Sequence, residues 1–127
     1  MIYFDDLTQL VIKTDVRFLL KKPFAVIIDG RALSGKTTLA DILRNNYPGD
    51  FVTIIEGERA LVTEHGLDLP DEDIIKVLLT ITDEDQKERF EALKADGREP
   101  VVYDESYIEE NNLREVADVV ICTTPSK

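Results

Sequence analysis

The segment Phe24 to Leu43, FAVIIDGRALSGKTTLADIL, decides how the rest of the chain is read. It opens on Ala25-Val26-Ile27-Ile28, a short unbroken apolar run of the kind found in a parallel strand buried on both faces. Gly30-x-x-x-x-Gly35-Lys36-Thr37 follows, and beyond it Leu39, Ala40, Leu43 and Tyr47 recur at helical spacing until Pro48-Gly49 stops the run. A strand, a loop bounded by glycines and a helix, in that order, have a mechanism. The glycines let the backbone close around an anion with successive N–H groups pointing inward, and the helix adds its positive N-terminal end. In such a phosphate-binding loop Lys36 reaches the β and γ phosphates of a nucleotide, and the Thr37 hydroxyl sits on Mg²⁺. The expected nucleotide contacts are therefore Gly30, Arg31, Ala32, Leu33, Ser34, Gly35, Lys36, Thr37 and Thr38, with ATP and Mg²⁺ as cofactors.

The competing reading is a glycine turn with no ligand. Four fixed positions alone would arise by chance in about one of a few hundred sequences of this length. The strand before the loop and the amphipathic helix after it are the context the motif requires, and they favour the nucleotide.

Composition narrows the function further. A chain of 127 residues reads as one domain over 1–127, large enough for its own core. Fifteen Lys and Arg against 26 Asp and Glu give a net charge of -11, so no broad basic face is expected and general nucleic-acid binding is disfavoured, which leaves room for a local basic site. The single cysteine, Cys122, has no internal disulfide partner and lies in the apolar run Val119-Val120-Ile121, where a buried packing residue is expected. No apolar run reaches membrane-spanning length and no secretory signal is visible, which predicts a cytoplasmic protein without a membrane partner.

Along the chain, Asp6-x-x-Gln9 resembles a capping box and opens a helix over about 6–22, which Pro23 ends; Lys21-Lys22 read as its solvated end. Phe51 to Ile55 reads as a strand delivering Glu56, Glu58 and Arg59 to its C-terminal end. That edge of a parallel sheet is where ligands bind, so these three are either substrate contacts or an ordinary charged exit. His65, in the polar turn Thr63-Glu64-His65-Gly66, is expected to be an exposed loop residue. Ile74 to Ile81 is apolar and β-branched and reads as a buried strand, with a short helix as the alternative.

Residues 83 to 96 form a charge-rich helix stopped by Asp96-Gly97. It is either a solvated outer element or a lid whose cations, Lys87, Arg89, Lys94 and Arg98, face a transferring phosphate. Pro100-Val-Val-Tyr leads into Asp104-Glu105, about seventy residues after the loop, a distance that allows two strand crossovers. An apolar strand ending in two acids supplies a metal-holding aspartate, Asp104, and a neighbouring base, Glu105; the alternative is a strand entering an acidic helix over 105–114. Ala117 to Cys122 reads as the last strand, ending in Thr123-Thr124 on the same sheet edge as the loop.

Over residues 24 to 47 the chain resembles the P-loop NTPase superfamily. IDGRALSGKTTLADIL is similar to the start of the small-molecule kinases, KVLLTITDEDQKERFEALKADGR to their strand, acidic turn and Arg-bearing lid helix, and REVADVVICTT to their late strand. The resemblance implies a Mg²⁺-ATP phosphotransferase acting on a nucleoside, nucleotide or comparable small acceptor, with Lys36, Asp104 and Glu105 catalytic and Thr37 and Asp104 on the metal. A second resemblance, of VVYDE and the strand ending in Thr-Thr to AAA+ ATPases, implies ATP hydrolysis coupled to movement of a partner. A nucleotide-binding regulatory module without turnover is the third reading. The expected fold is α/β, a three-layer sandwich with a mainly parallel sheet of four or five strands and the loop's strand near its centre. The acceptor and the oligomeric state are left open.

Overall fold

The computed structural model describes residues 2–99 and 104–125. At its centre is β2, Phe24–Gly30, whose seven residues are all buried. A strand inside a parallel sheet is covered on both faces, so its sequence carries no polar alternation. β3, Val52–Glu56, and β4, Ile74–Thr80, flank β2 and run parallel to it. β5, Val119–Pro125, runs parallel to β4, and the short β1, Ile2–Phe4, runs antiparallel to β5. The sheet order is β1-β5-β4-β2-β3. The chain is thus an α/β protein built on four parallel strands, as the sequence predicts, with β1 an additional edge strand too short for its pattern to be read.

The helices are α1, Thr8–Leu19, α2, Lys36–Asn46, α3, Asp83–Ala95, α4, Tyr107–Glu110, and α5, Leu113–Val116. The period of two along a strand sends Phe24, Val26 and Ile28 of β2, with Ile75, Val77 and Leu79 of β4, to one face. There they meet Leu10 of α1 and Leu39, Ala40 and Leu43 of α2. Each of these side chains but Ala40 contributes about 1.5 to 3 kcal/mol by leaving water. On the opposite face Leu78 of β4 packs with Tyr107 and Leu113. A hydroxyl pair, Thr14 Oγ1 to Tyr47 OH at 2.7 Å, joins α1 to the end of α2; the Thr14 hydroxyl also lies 3.0 Å from the Leu10 carbonyl oxygen, and the Tyr47 hydroxyl also bonds the Asp15 carboxylate.

Several boundaries differ from expectation for identifiable reasons. α1 begins at Thr8, because the Asp6 carboxylate accepts the Thr8 N–H at 2.8 Å and forms a local turn instead of a box with Gln9. The acidic helix of the alternative reading, over 105–114, is broken into α4 and α5 at Asn112, whose φ of 50° is left-handed. β5 runs on to Pro125, so Thr123 and Thr124 lie inside it. Cys122 is half-buried rather than buried, since alternation turns Ile121 and Thr123 inward and Cys122 the other way. The expected strand residues 100–103 lie outside the described residues, and Asp104 stands in no strand. Among the described residues no helix is long and apolar enough to cross a membrane.

Candidate functional site

β2 delivers Gly30 to the C-terminal edge of the sheet, and the chain turns through residues 31–35 into α2. Gly30 has a steric reason: a Cβ there would lie 2.4 Å from the Leu79 carbonyl oxygen of β4. Gly35, with φ 98°, caps α2 in a conformation that L side chains avoid. The first amides of α2 have no helical acceptors, and its first turn carries no acidic side chain. This end of the helix is therefore suited to an anion. Ser34, wholly buried in the loop, has an Oγ without a hydrogen-bond partner among the described residues.

Lys36 bends back over this loop and donates from Nζ to the carbonyl oxygens of Gly30 at 2.9 Å and Arg31 at 3.3 Å. Burial pushes its ammonium below the usual lysine range, while Asp29, Glu105, Glu56 and Glu58 oppose that shift. The neighbouring Thr37 hydroxyl donates to the Glu56 carboxylate at 3.2 and 3.3 Å. β3 lies beside β2 with Ile28 opposite Glu56, which brings the last residue of β3 level with the loop.

This geometry corrects the expected pairing of Thr37 with Asp104. Asp104 is exposed, and its carboxylate accepts the Ser106 N–H at 2.9 Å, a bond that holds it below the usual carboxylate range. Glu56 is the carboxylate in contact with Thr37. No group of three His, Cys, Asp or Glu poised to hold a metal exists among the described residues.

Glu105, in contrast, is at the loop. Its Oε2 accepts the Ala32 N–H at 2.8 Å and its Oε1 lies 3.4 Å from Arg31 Nε. Arg31 also pairs with Asp83 at 2.7 Å and donates to the Ile81 carbonyl at 3.0 Å and to Gln86 Oε1 at 2.5 Å. Gln86, buried within α3, donates in turn to the Ala32 carbonyl at 2.9 Å. The start of α3 is thus tied to the loop through Asp83 and Gln86, not through its cations. Arg89 is half-buried, with Nε unpartnered among the described residues and its guanidinium pushed below the usual range by burial, and Arg98 is exposed beyond the end of α3. A cavity of about 410 Å³ opens beside Arg31 and Glu105, lined also by Thr80, Ile81, Asp83 and Ser106.

A second network supports the loop from below. Asp29 is fully buried; its Oδ1 accepts the Gly30 N–H at 2.7 Å and the Tyr107 hydroxyl at 2.5 Å, and its Oδ2 accepts the Leu61 N–H at 3.1 Å. The Tyr107 oxygen also accepts the Arg59 N–H at 2.9 Å, and the Arg59 guanidinium stacks 4.7 Å from the Tyr107 ring centre. Burial and the Asp29 bond both push the Tyr107 hydroxyl well above the usual tyrosine range. Glu58 is exposed and acts on Lys36 through its charge alone. His65 is half-buried, with Nε2 2.6 Å from the Ala60 carbonyl, so it braces the Arg59–Leu61 turn.

The sequence reading missed Asp29, Gln86 and Tyr107. The signal for Asp29 was available, because an acid closing a strand buried on both faces must be paired. Gln86 and Tyr107 carry no such signal. The structure brings the loop residues 30–37, Glu56 and Glu105 together, sets Glu58 and Arg59 beside them, and leaves Asp104, Arg89 and Arg98 out of the loop's contacts. Comparison with known proteins finds no matching family model, no matching curated protein and no matching solved structure.

Proposed function

We propose that the loop from Gly30 to Thr37 is a P-loop binding a Mg²⁺-nucleoside triphosphate, and that the protein transfers the γ-phosphate to a small hydroxyl- or phosphate-bearing acceptor. The observation that carries this reading is Lys36 arched over the Gly30 and Arg31 carbonyls beside a Thr37 hydroxyl already in contact with a carboxylate. A ligand-free turn has no use for a cation and a hydroxyl–carboxylate pair at the mouth of a helix end.

The residues present fit Mg²⁺. Thr37 and Glu56 offer hard oxygen donors in contact with one another, and Mg²⁺ is commonly held by one or two protein oxygens, with water and phosphate completing the shell. When bound it would neutralise phosphate charge. That need is acute here, since Glu56, Glu58, Glu105 and Asp29 all act on Lys36 and would repel a naked triphosphate. Lys36 would leave the loop carbonyls for phosphate oxygens, whose charge favours its ammonium form. Loop amides would orient the chain of phosphates. Glu105, on the Ala32 amide at the rim of the cavity, would take the proton of the attacking acceptor hydroxyl. Arg31 holds Glu105 and the start of α3 in place for this.

The test is ADP release with Mg-ATP, measured alone and with a panel of nucleosides, nucleotides and sugars. Release that depends on an acceptor supports transfer. Equal release without any acceptor overturns it in favour of hydrolysis, and absence of nucleotide binding overturns the loop assignment.

A further inference from the structure

α1 is apolar on two sides. Leu10 and Thr14 face the core, while Ile12, Val16, Leu19 and Leu20 are 49%, 48%, 78% and 63% exposed. Their spacing of i, i+4, i+7 and i+8 puts the four on one stripe along the outer face. Val11, 46% exposed, and Ile42 of α2, 36% exposed, lie on another side, in the groove between α1 and α2. Single exposed apolar residues need no explanation, but a continuous stripe on one helix does.

The charges at the two ends of this stripe indicate what covers it. Asp5 and Asp6 are exposed just before α1, and Lys21 and Lys22 are exposed just after it. If two copies of α1 lie antiparallel, the acidic end of each meets the basic end of the other twice over, and the helix dipoles also oppose favourably. Parallel packing would set acid on acid and lysine on lysine. A face complementary to itself under a two-fold rotation is the requirement for an isologous dimer. A lipid surface fits less well, because a chain of net charge -11 is repelled by anionic headgroups and the stripe carries lysines at one end only.

We infer that this protein self-associates through α1, two copies packing their Ile12-Val16-Leu19-Leu20 stripes antiparallel about a two-fold axis. A twelve-residue helix is about 18 Å long, so the contact is smaller than the ~800 Å² per partner of a standard interface, and weak, concentration-dependent association is expected. Four residues separate the end of α1 from the start of β2, so its C-terminal end lies at the sheet edge opposite Gly30. The dimer therefore points its two loop edges in opposite directions and completes neither.

Sedimentation velocity from about 1 to 500 µM tests this, and the expected result is a mass rising from one chain to two. Val16→Glu with Leu19→Glu, at exposed positions, should raise the dissociation constant at least about tenfold with an unchanged circular dichroism spectrum. Lys21→Glu with Lys22→Glu should weaken association, and adding Asp5→Lys to the same chain should recover part of it. A wild-type chain that stays single over the whole range overturns the inference, whether or not it binds phosphatidylserine vesicles. So does a dimer indifferent to the stripe substitutions, and charge reversal without effect overturns the antiparallel arrangement.

Discussion

Replacing Tyr107 by Phe keeps the ring and removes one oxygen, which makes it a clean probe of how the loop is held. That oxygen lies 2.5 Å from Asp29 Oδ1 and 2.9 Å from the Arg59 nitrogen, in a side chain 1% exposed. The bond to a carboxylate is worth about 1.5 to 3 kcal/mol. The bond from the Arg59 amide, on a partly hydrated turn, adds about 0.5 to 1 kcal/mol. Ring packing against Leu78 and Leu113 survives, so no cavity contribution is expected. The sum is about 2 to 4 kcal/mol, a large share of a typical total of about 5 to 15. Urea unfolding should show it as a lower midpoint with an unchanged slope, and a double-mutant cycle with Asp29→Asn should give a coupling of about 1 to 3 kcal/mol. The pH dependence has a definite sign. The fold favours protonated Tyr107, so its contribution is fully present below about pH 10, the unfolded tyrosine value, and is lost as pH rises above it. The Phe variant should lose less stability over that alkaline range. A loss under about 0.5 kcal/mol, or no coupling to Asp29, would refute the claim that this hydroxyl holds the root of the loop.

Three further outcomes are expected. Lys36→Ala should cost the proposed phosphate contact, about ten- to a hundredfold in nucleotide affinity by calorimetry, with the fold intact; unchanged affinity would remove the P-loop assignment. Glu56→Gln should abolish Mg²⁺-dependent turnover while metal-free nucleotide binding is kept or improved, and Asp104→Asn should leave turnover near wild type. The opposite pattern in a Mg²⁺ titration would return the metal role to Asp104. Gly30→Ala drives a methyl group to 2.4 Å from the Leu79 carbonyl and should destabilise by about 3 kcal/mol or more, read as a drop in melting temperature. An unchanged melting temperature would show that β2 and β4 do not approach so closely.

What could be read from the sequence was whatever rests on local pattern. The apolar run 24–28, the spacing of Leu39, Ala40 and Leu43 and the β-branched run 74–80 each name their own element, and so yield the parallel sheet and the strand–loop–helix unit. The partner of Thr37 could not be read this way. Both Glu56 and Asp104 follow apolar residues, and only the register of β3 on β2 tells which reaches the loop. Gln86 was hidden for a similar reason: in a helix of mean charge-rich character, nothing local distinguishes the one polar residue that turns inward. Asn112 breaks the run 105–114 into two short helices because its left-handed backbone is a tertiary outcome that asparagine permits but does not announce.

The edge pairing of β1 with β5 has a kinetic consequence. It joins Ile2–Phe4 to Thr123–Pro125, a closure of about 120 residues, whereas β2 meets β3 and β4 over far shorter separations. Closing so long a loop for three residues of ladder returns little until the strands between are fixed, so the sheet is expected to assemble from β2 outward, with β1 docking last. The same feature makes β1 the first strand to open under native conditions, and hydrogen exchange at its amides should run ahead of global unfolding. Each opening bares the Thr123–Pro125 end of the β5 edge, where the Thr123 and Thr124 backbone groups become open to pairing with another chain while Pro125, which has no N–H to donate, limits how far such pairing extends.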